Sequence, residues 1–128
     1  MSAVPGNVRA LRPISILLAS DDSPFAERLA DAAHERKVAL TCVPADTNID
    51  VALVRYGSNI FVLDADDALP RGARSATTFA ALHPDIPVVL VVEGASVRSV
   101  SGLLLLDKWR STERLLGEIE LAFLGFRP

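Results

Sequence analysis

The sequence contains a single cysteine, Cys42, which excludes a disulfide framework. Neither of the two histidines, His34 and His83, has a partner at ligand spacing, so no zinc site is expected and both read as surface or helix-end residues. Lying in an apolar run, Cys42 reads as a buried structural thiol. Aromatic residues make up only 5% of the chain, so the core must be aliphatic, built from Ala, Val and Leu. There is no run of Lys or Arg, and 13 basic residues against 16 acidic ones leave a net charge of −3, which argues against nucleic-acid binding. No window approaches the roughly 18 consecutive apolar residues of a membrane-spanning helix. No long apolar stretch precedes Ile14, so no signal peptide is read, and a cytoplasmic location is expected. A Gly-rich phosphate loop and a Gly-x-Ser-x-Gly elbow are both missing, which argues against a nucleotide-binding enzyme and a serine hydrolase.

What is present suits one domain. The chain has 128 residues, half of them apolar, with a mean hydropathy of +0.32. Residues 1–13, with Pro5 and Pro13, read as a flexible leader, and 14–128 as one folded unit. Ile14–Ser20 is a short apolar run that meets Asp21 and Asp22, as a buried strand does at its end. Ser23 and Pro24 open a helix whose apolar face falls at Ala26, Leu29, Ala30 and Ala33. A second strand is expected over Lys37–Val43, a turn over Pro44–Asn48 and a short helix over Ile49–Tyr56. Gly57, Ser58 and Asn59 break the chain before a third strand at Ile60–Leu63, which ends at Asp64. A polar loop from Asp66 to Gly72 leads to a helix over about Ala73–Leu82, stopped by His83-Pro84-Asp85. Val88–Val92 and Leu103–Leu106 are the fourth and fifth strands. A last helix starts near Ser111 or Thr112 and carries Leu115, Leu116, Ile119, Ala122 and Phe123 on one face.

Strands alternating with helices, several of them apolar throughout, indicate a parallel sheet covered on both faces, an α/β doubly wound architecture. Sites in such sheets lie beyond the carboxyl ends of the strands. The residues there are Asp21, Asp22, Asp64 and Lys108. Three carboxylates brought together repel unless a cation sits among them. Magnesium, a hard ion content with a few carboxylates and water, is the natural choice. A phosphoryl group arriving on one carboxylate would need that metal and a lysine to hold its charge. The constellation therefore makes sense as an aspartyl-phosphate site.

In this order and spacing the residues resemble the receiver domains of response regulators, the CheY-like family of two-component signalling, over about Ile14 to Phe126. Asp21-Asp22-Ser23-Pro24 is similar to the family's acidic pair followed by a helix-starting proline. Moving the pair to Ser20-Asp21 would bring Arg28 onto the apolar helix face, so Asp22 is taken as the second acid. Gly72, eight residues after Asp64, and His83-Pro84-Asp85-Ile86-Pro87-Val88-Val89 also fit. The resemblance implies a flavodoxin-like (βα)5 fold with strand order 2-1-3-4-5. It implies that Asp64 is the phosphoacceptor, that Asp21 and Asp22 hold Mg2+ with the backbone carbonyl of Asp66, and that Lys108 contacts the phosphoryl oxygens. The partners implied are a histidine kinase or another signalling protein, with a homodimer open, and no enzymatic activity.

The chain also departs from the family. The switch Ser or Thr falls on Val92, followed by Glu93, and the aromatic switch position falls on Leu105. Lys108 is followed by Trp109 where the family has proline; a cis bond there would cost about 3 kcal/mol, so a trans peptide is expected, with Lys108 aimed differently. Trp109 is read either as an anchor for a partner or as packed on the domain itself. Only fifteen residues separate Val92 from Lys108, too few for a full fourth helix, which should be a single turn or absent. The leading expectation is an atypical receiver that signals by protein binding, with weakened phosphorylation switching. One alternative is an ordinary Asp64 phosphoacceptor acting as a phosphoryl sink or shuttle. The other is a small flavodoxin-like ligand-binding domain or enzyme.

Overall fold

The structure, a computed structural model, describes residues 13–66, 69–94, 98–100 and 103–126. The leader read over 1–13 lies, apart from Pro13, outside them. In chain order the elements are β1 (Ser15–Ala19), α1 (Ser23–Glu35), β2 (Ala39–Val43), α2 (Ile49–Tyr56), β3 (Ile60–Asp66), α3 (Leu69–Leu82), β4 (Val88–Val92), β5 (Arg98–Val100), β6 (Leu103–Asp107) and α4 (Thr112–Gly125). The sheet order is β2-β1-β3-β4-β6-β5. The five strands anticipated from the sequence are parallel and run in the order 2-1-3-4-5. The sixth, β5, pairs antiparallel with β6 and forms the edge. It occupies the stretch where a full fourth helix does not fit.

Strand alternation splits the core in two. Ile16 and Leu18 of β1, Ile60 and Val62 of β3, Val89 and Val91 of β4, and Leu106 of β6 face α1 and α4. Their neighbours Leu17, Ala19, Phe61, Leu90, Val92, Leu103 and Leu105 face α2 and α3. All five residues of β4 are buried, as expected for a central strand covered on both sides. The α1 face is Phe25, Ala26, Leu29, Ala32 and Ala33, and the α4 face Leu115, Leu116, Ile119 and Phe123, close to the spacing read from the sequence. A forked ion pair ties the two helices, Arg36 Nε to Glu120 Oε1 at 2.8 Å and Nη2 to Oε2 at 3.0 Å.

The boundaries at Lys37 and at the start of α3 differ from expectation, while that at Gly57 agrees with it. Lys37 is not in β2: it follows α1 with φ 59, the left-handed residue of a helix terminus, and Val38 N–H donates to Ala33 O. Gly57 ends α2 with φ 63, where the absence of a Cβ is suited to the turn. The α3 helix begins at Leu69, so Gly72 lies within it rather than in a loop; Pro70, in the first turn, is the signal that marks the earlier start. Cys42 is exposed, contrary to the buried thiol expected, because β2 is an edge strand with only Val43 fully covered. No helix among the described residues is long and apolar enough to cross a membrane.

Candidate functional site

The same alternation that divides the core builds the site. On β1 the residues facing α1 and α4 are Ile16 and Leu18, so the next in step is Ser20. On β3 they are Ile60 and Val62, so the next is Asp64; on β6, after Leu104 and Leu106, it is Lys108. These three polar residues are buried at the carboxyl end of the sheet, the only buried polar or charged ones among the described residues. Each caps an apolar column, so the site is a polar lid on the α1/α4 core.

Ser20 donates its hydroxyl to Asp64 Oδ2 at 2.7 Å and accepts from Asp22 N–H at 3.1 Å. Its own N–H donates to Val43 O at 3.0 Å, which holds the end of β1 against β2. Asp22 is the N-cap of α1: Oδ1 accepts from Phe25 N–H at 3.1 Å. Its other oxygen lies 2.8 Å from Lys108 Nζ, and Asp64 Oδ2 lies 3.1 Å from the same ammonium. Lys108 is 2% exposed, with its Nζ 5.1 Å from the centre of the Phe25 ring. Its backbone N–H donates to Val92 O. Burial acts to lower the Lys108 pKa, but the two carboxylates bonded to it outweigh that, and the net shift is upward. The hydrogen bond from Lys108, and then that from Phe25 N–H, holds the Asp22 carboxyl below the usual carboxylate range.

The structure thus brings together Asp22, Asp64 and Lys108 of the residues singled out from the sequence, and adds Ser20. No peptide among the described residues is cis, as expected after Lys108, yet Lys108 is not aimed away: it points between the two carboxylates. Asp21 goes elsewhere. It is exposed, and its Oδ1 accepts from Ala45 N–H at 2.9 Å. The helix register chosen from the sequence holds, since Asp22 caps α1, but the strand register places Ser20 rather than an acid beside Asp64. The period-2 alternation through Ile16 and Leu18 was the available signal for Ser20. Asp66 is not in a free loop: β3 runs on through a register shift, and Asp66 pairs with Val92. Val92 and Leu105 are both buried in the apolar core facing α2 and α3, on the opposite side of the sheet from Asp64. Trp109 is 62% exposed, so most of its surface faces solvent.

The oxygen donors are of the kind magnesium takes, but their arrangement does not fit it. Asp21 is turned to Ala45, both oxygens of Asp22 have partners, and an ammonium stands between Asp22 and Asp64. No group of three His, Cys, Asp or Glu side chains that could hold a metal is found among the described residues.

Beside the acids a groove of about 1140 Å³ opens on the α2/α3 side, lined by residues from Asp21 to Leu82.

No family model matches the chain, and no curated relative matches it in sequence. Among solved structures the likeness is clear. NtrX from Brucella abortus, in complex with ADP, superposes with a TM-score of 0.70 at 18% identity over 88% of this chain. The chain spans only 26% of that protein. An atypical orphan response regulator, described with a phosphorylation-independent regulatory mechanism, gives a TM-score of 0.70 at 12% identity, covering 88% of this chain and 98% of the other. The receiver domain of the Francisella response regulator 1452 gives 0.68 at 18% identity, over 88% and 98%. The chain therefore has the receiver fold, the flavodoxin-like arrangement of five parallel strands in the order 2-1-3-4-5, with an antiparallel strand added at one edge.

Proposed function

We propose that this chain is an atypical receiver domain, a non-enzymatic signalling module that acts by binding other proteins and whose conformation is weakly coupled to phosphorylation. The observation that carries this reading is the separation of the acid site from the core that would have to respond. Lys108 already pairs with both Asp22 and Asp64. The two positions expected to relay a phosphoryl group, Val92 and Leu105, are buried aliphatics with no hydroxyl and no ring. Valine offers no donor to a phosphoryl oxygen, and a leucine closed into the core has no second, exposed position of comparable energy. The likeness to an orphan regulator described as phosphorylation-independent supports the same reading.

A second reading has its own support. Asp64 sits at the end of β3 with Lys108 Nζ at 3.1 Å and the Ser20 hydroxyl at 2.7 Å, donors suited to phosphoryl oxygens. Under that reading Asp64 takes a phosphoryl group from a histidine kinase and serves as a sink or shuttle. Mg2+ would then have to displace Lys108 from Asp22 and draw in Asp21. Intact mass spectrometry after incubation with Mg2+ and acetyl phosphate, with Asp64→Asn as control, separates the two. The proposed reading expects little or no added phosphoryl group. A stoichiometric adduct present in the wild type and missing in Asp64→Asn would favour the phosphoacceptor.

A further inference from the structure

The groove between α2 and α3 is larger than the roughly 300–1,000 Å³ of small-molecule sites. Its floor is apolar: Leu63 and Ile49, half-buried, lie over Phe61 and Phe79, whose rings are 4.8 Å apart. Its far lip is Leu82, 68% exposed. One wall is a helical stripe of α3, with Arg74, Thr78 and Leu82 spaced four apart. The floor of β3 from Phe61 to Ala65 is about 13 Å long, a little over two helical turns.

Its charge is one-sided. Asp21, Asp22, Asp46, Asp50 and Asp64 all line it, against Arg74 alone among the lining residues. With Lys108 counted behind Asp22 and Asp64, this region still carries a formal charge equal to the whole chain's −3. Among the described residues the groove is therefore a concentration of negative charge. Asp46 and Asp50 are exposed at the rim; Asp50 has one oxygen on His83 Nε2 and the other open to a partner's charge, and neither contact desolvates the Lys108 cluster.

We infer that this groove is the docking site for a basic, amphipathic segment of a partner protein, about two helical turns long, with aliphatic side chains on Leu63 and Leu82 and Lys or Arg on Asp46 and Asp50. Acid rim over apolar floor is the complement of such a segment, and the helix-in-groove mode uses both terms. The inference rests on the reading of the chain as a constitutive binding module and names the chemistry of what it binds.

The test is fluorescence anisotropy with the full chain and three labelled helical peptides: one with a Lys face and a Leu face, one with Glu replacing Lys, and one with Ser replacing Leu. The Lys/Leu peptide is expected to bind the unphosphorylated protein, and more weakly as salt rises. Asp46→Lys with Asp50→Lys should weaken it by about tenfold. Leu82→Asp, at an exposed position that leaves the core intact, should weaken it without changing the melting temperature. Equal binding of the Glu/Leu peptide, equal binding of the Lys/Ser peptide, or binding unchanged in both variants would overturn the inference. Binding that appears only after phosphorylation would instead overturn the proposed function while leaving the groove in place.

Discussion

Lys108→Met removes the ammonium at the centre of the site while keeping most of the side-chain volume. Lys108 is fully enclosed, and the Asp64 side chain is 2% exposed, so the variant leaves a buried carboxylate with the Ser20 hydroxyl as its named donor. Removing one partner of a buried ion pair costs about 3–5 kcal/mol. The Asp22 side chain is 33% exposed and can turn to water, which favours the lower end of that range. A thioether near the Phe25 ring returns about 0.5 kcal/mol. The net loss is then about 2.5 kcal/mol, which for a domain of this size lowers the melting temperature by roughly 10 °C. The double variant Lys108→Met with Asp64→Asn should regain at least half of the loss, because the amide needs no counter-charge and can still accept from Ser20. Circular dichroism melts and urea titrations at pH 7 read both values. A fall of less than about 3 °C in the single variant, or a double variant no more stable than the single, would refute the idea that Lys108 compensates a buried charge.

Other consequences can be measured in the same way. Lys37→Gly should raise stability by about 0.5–1 kcal/mol, since Lys37 holds a left-handed conformation that glycine adopts without a Cβ clash. Val92→Thr should destabilise by about 1–2 kcal/mol, because its hydroxyl would enter an apolar layer without a partner; an unchanged melting temperature would show that a donor or acceptor is within reach. The Asp22 carboxyl is depressed in the folded state, so its contribution is present above the ordinary carboxylate value and lost as pH falls through the lower one. Lys108 is raised, so its contribution is present below the ordinary lysine value and lost only as pH rises through the higher one. A pH series of melting temperatures should therefore show the Lys108 cluster contributing evenly from weakly acidic to weakly alkaline pH, and Asp22→Asn should flatten the acid limb.

Much of the fold was legible because it rests on local rules. The bounds of α2 and β4 follow from Gly57 and from the Val88–Val92 run, and the parallel sheet follows from strands alternating with helices, while the strand order rests on the family resemblance. The weak fourth helix could be counted from the fifteen residues between Val92 and Lys108, but not its replacement by an antiparallel edge strand, which depends on pairing across the sheet. The exposed Cys42 was misread because an apolar run does not say whether its strand lies at the centre or the edge. Within the site, Asp22, Asp64 and Lys108 were visible as strand-end residues. Ser20 is marked only by the strand alternation that places it beside Asp64, a weaker signal than the acidic pair that follows it. The aim of Lys108 is not legible from its peptide bond: the carboxylates of Asp22 and Asp64 determine where the ammonium goes.

The proposed separation of the acid site from the α2/α3 core is tested most directly by two-dimensional amide NMR before and after treatment with Mg2+ and acetyl phosphate. The account expects at most small changes, confined to the neighbourhood of Ser20, Asp22 and Asp64, with Val92, Leu105 and the floor of the groove unmoved. Shifts that spread through β4 and β6 to Leu105 and Trp109, and vanish in Asp64→Asn, would contradict it and show a working phosphorylation switch.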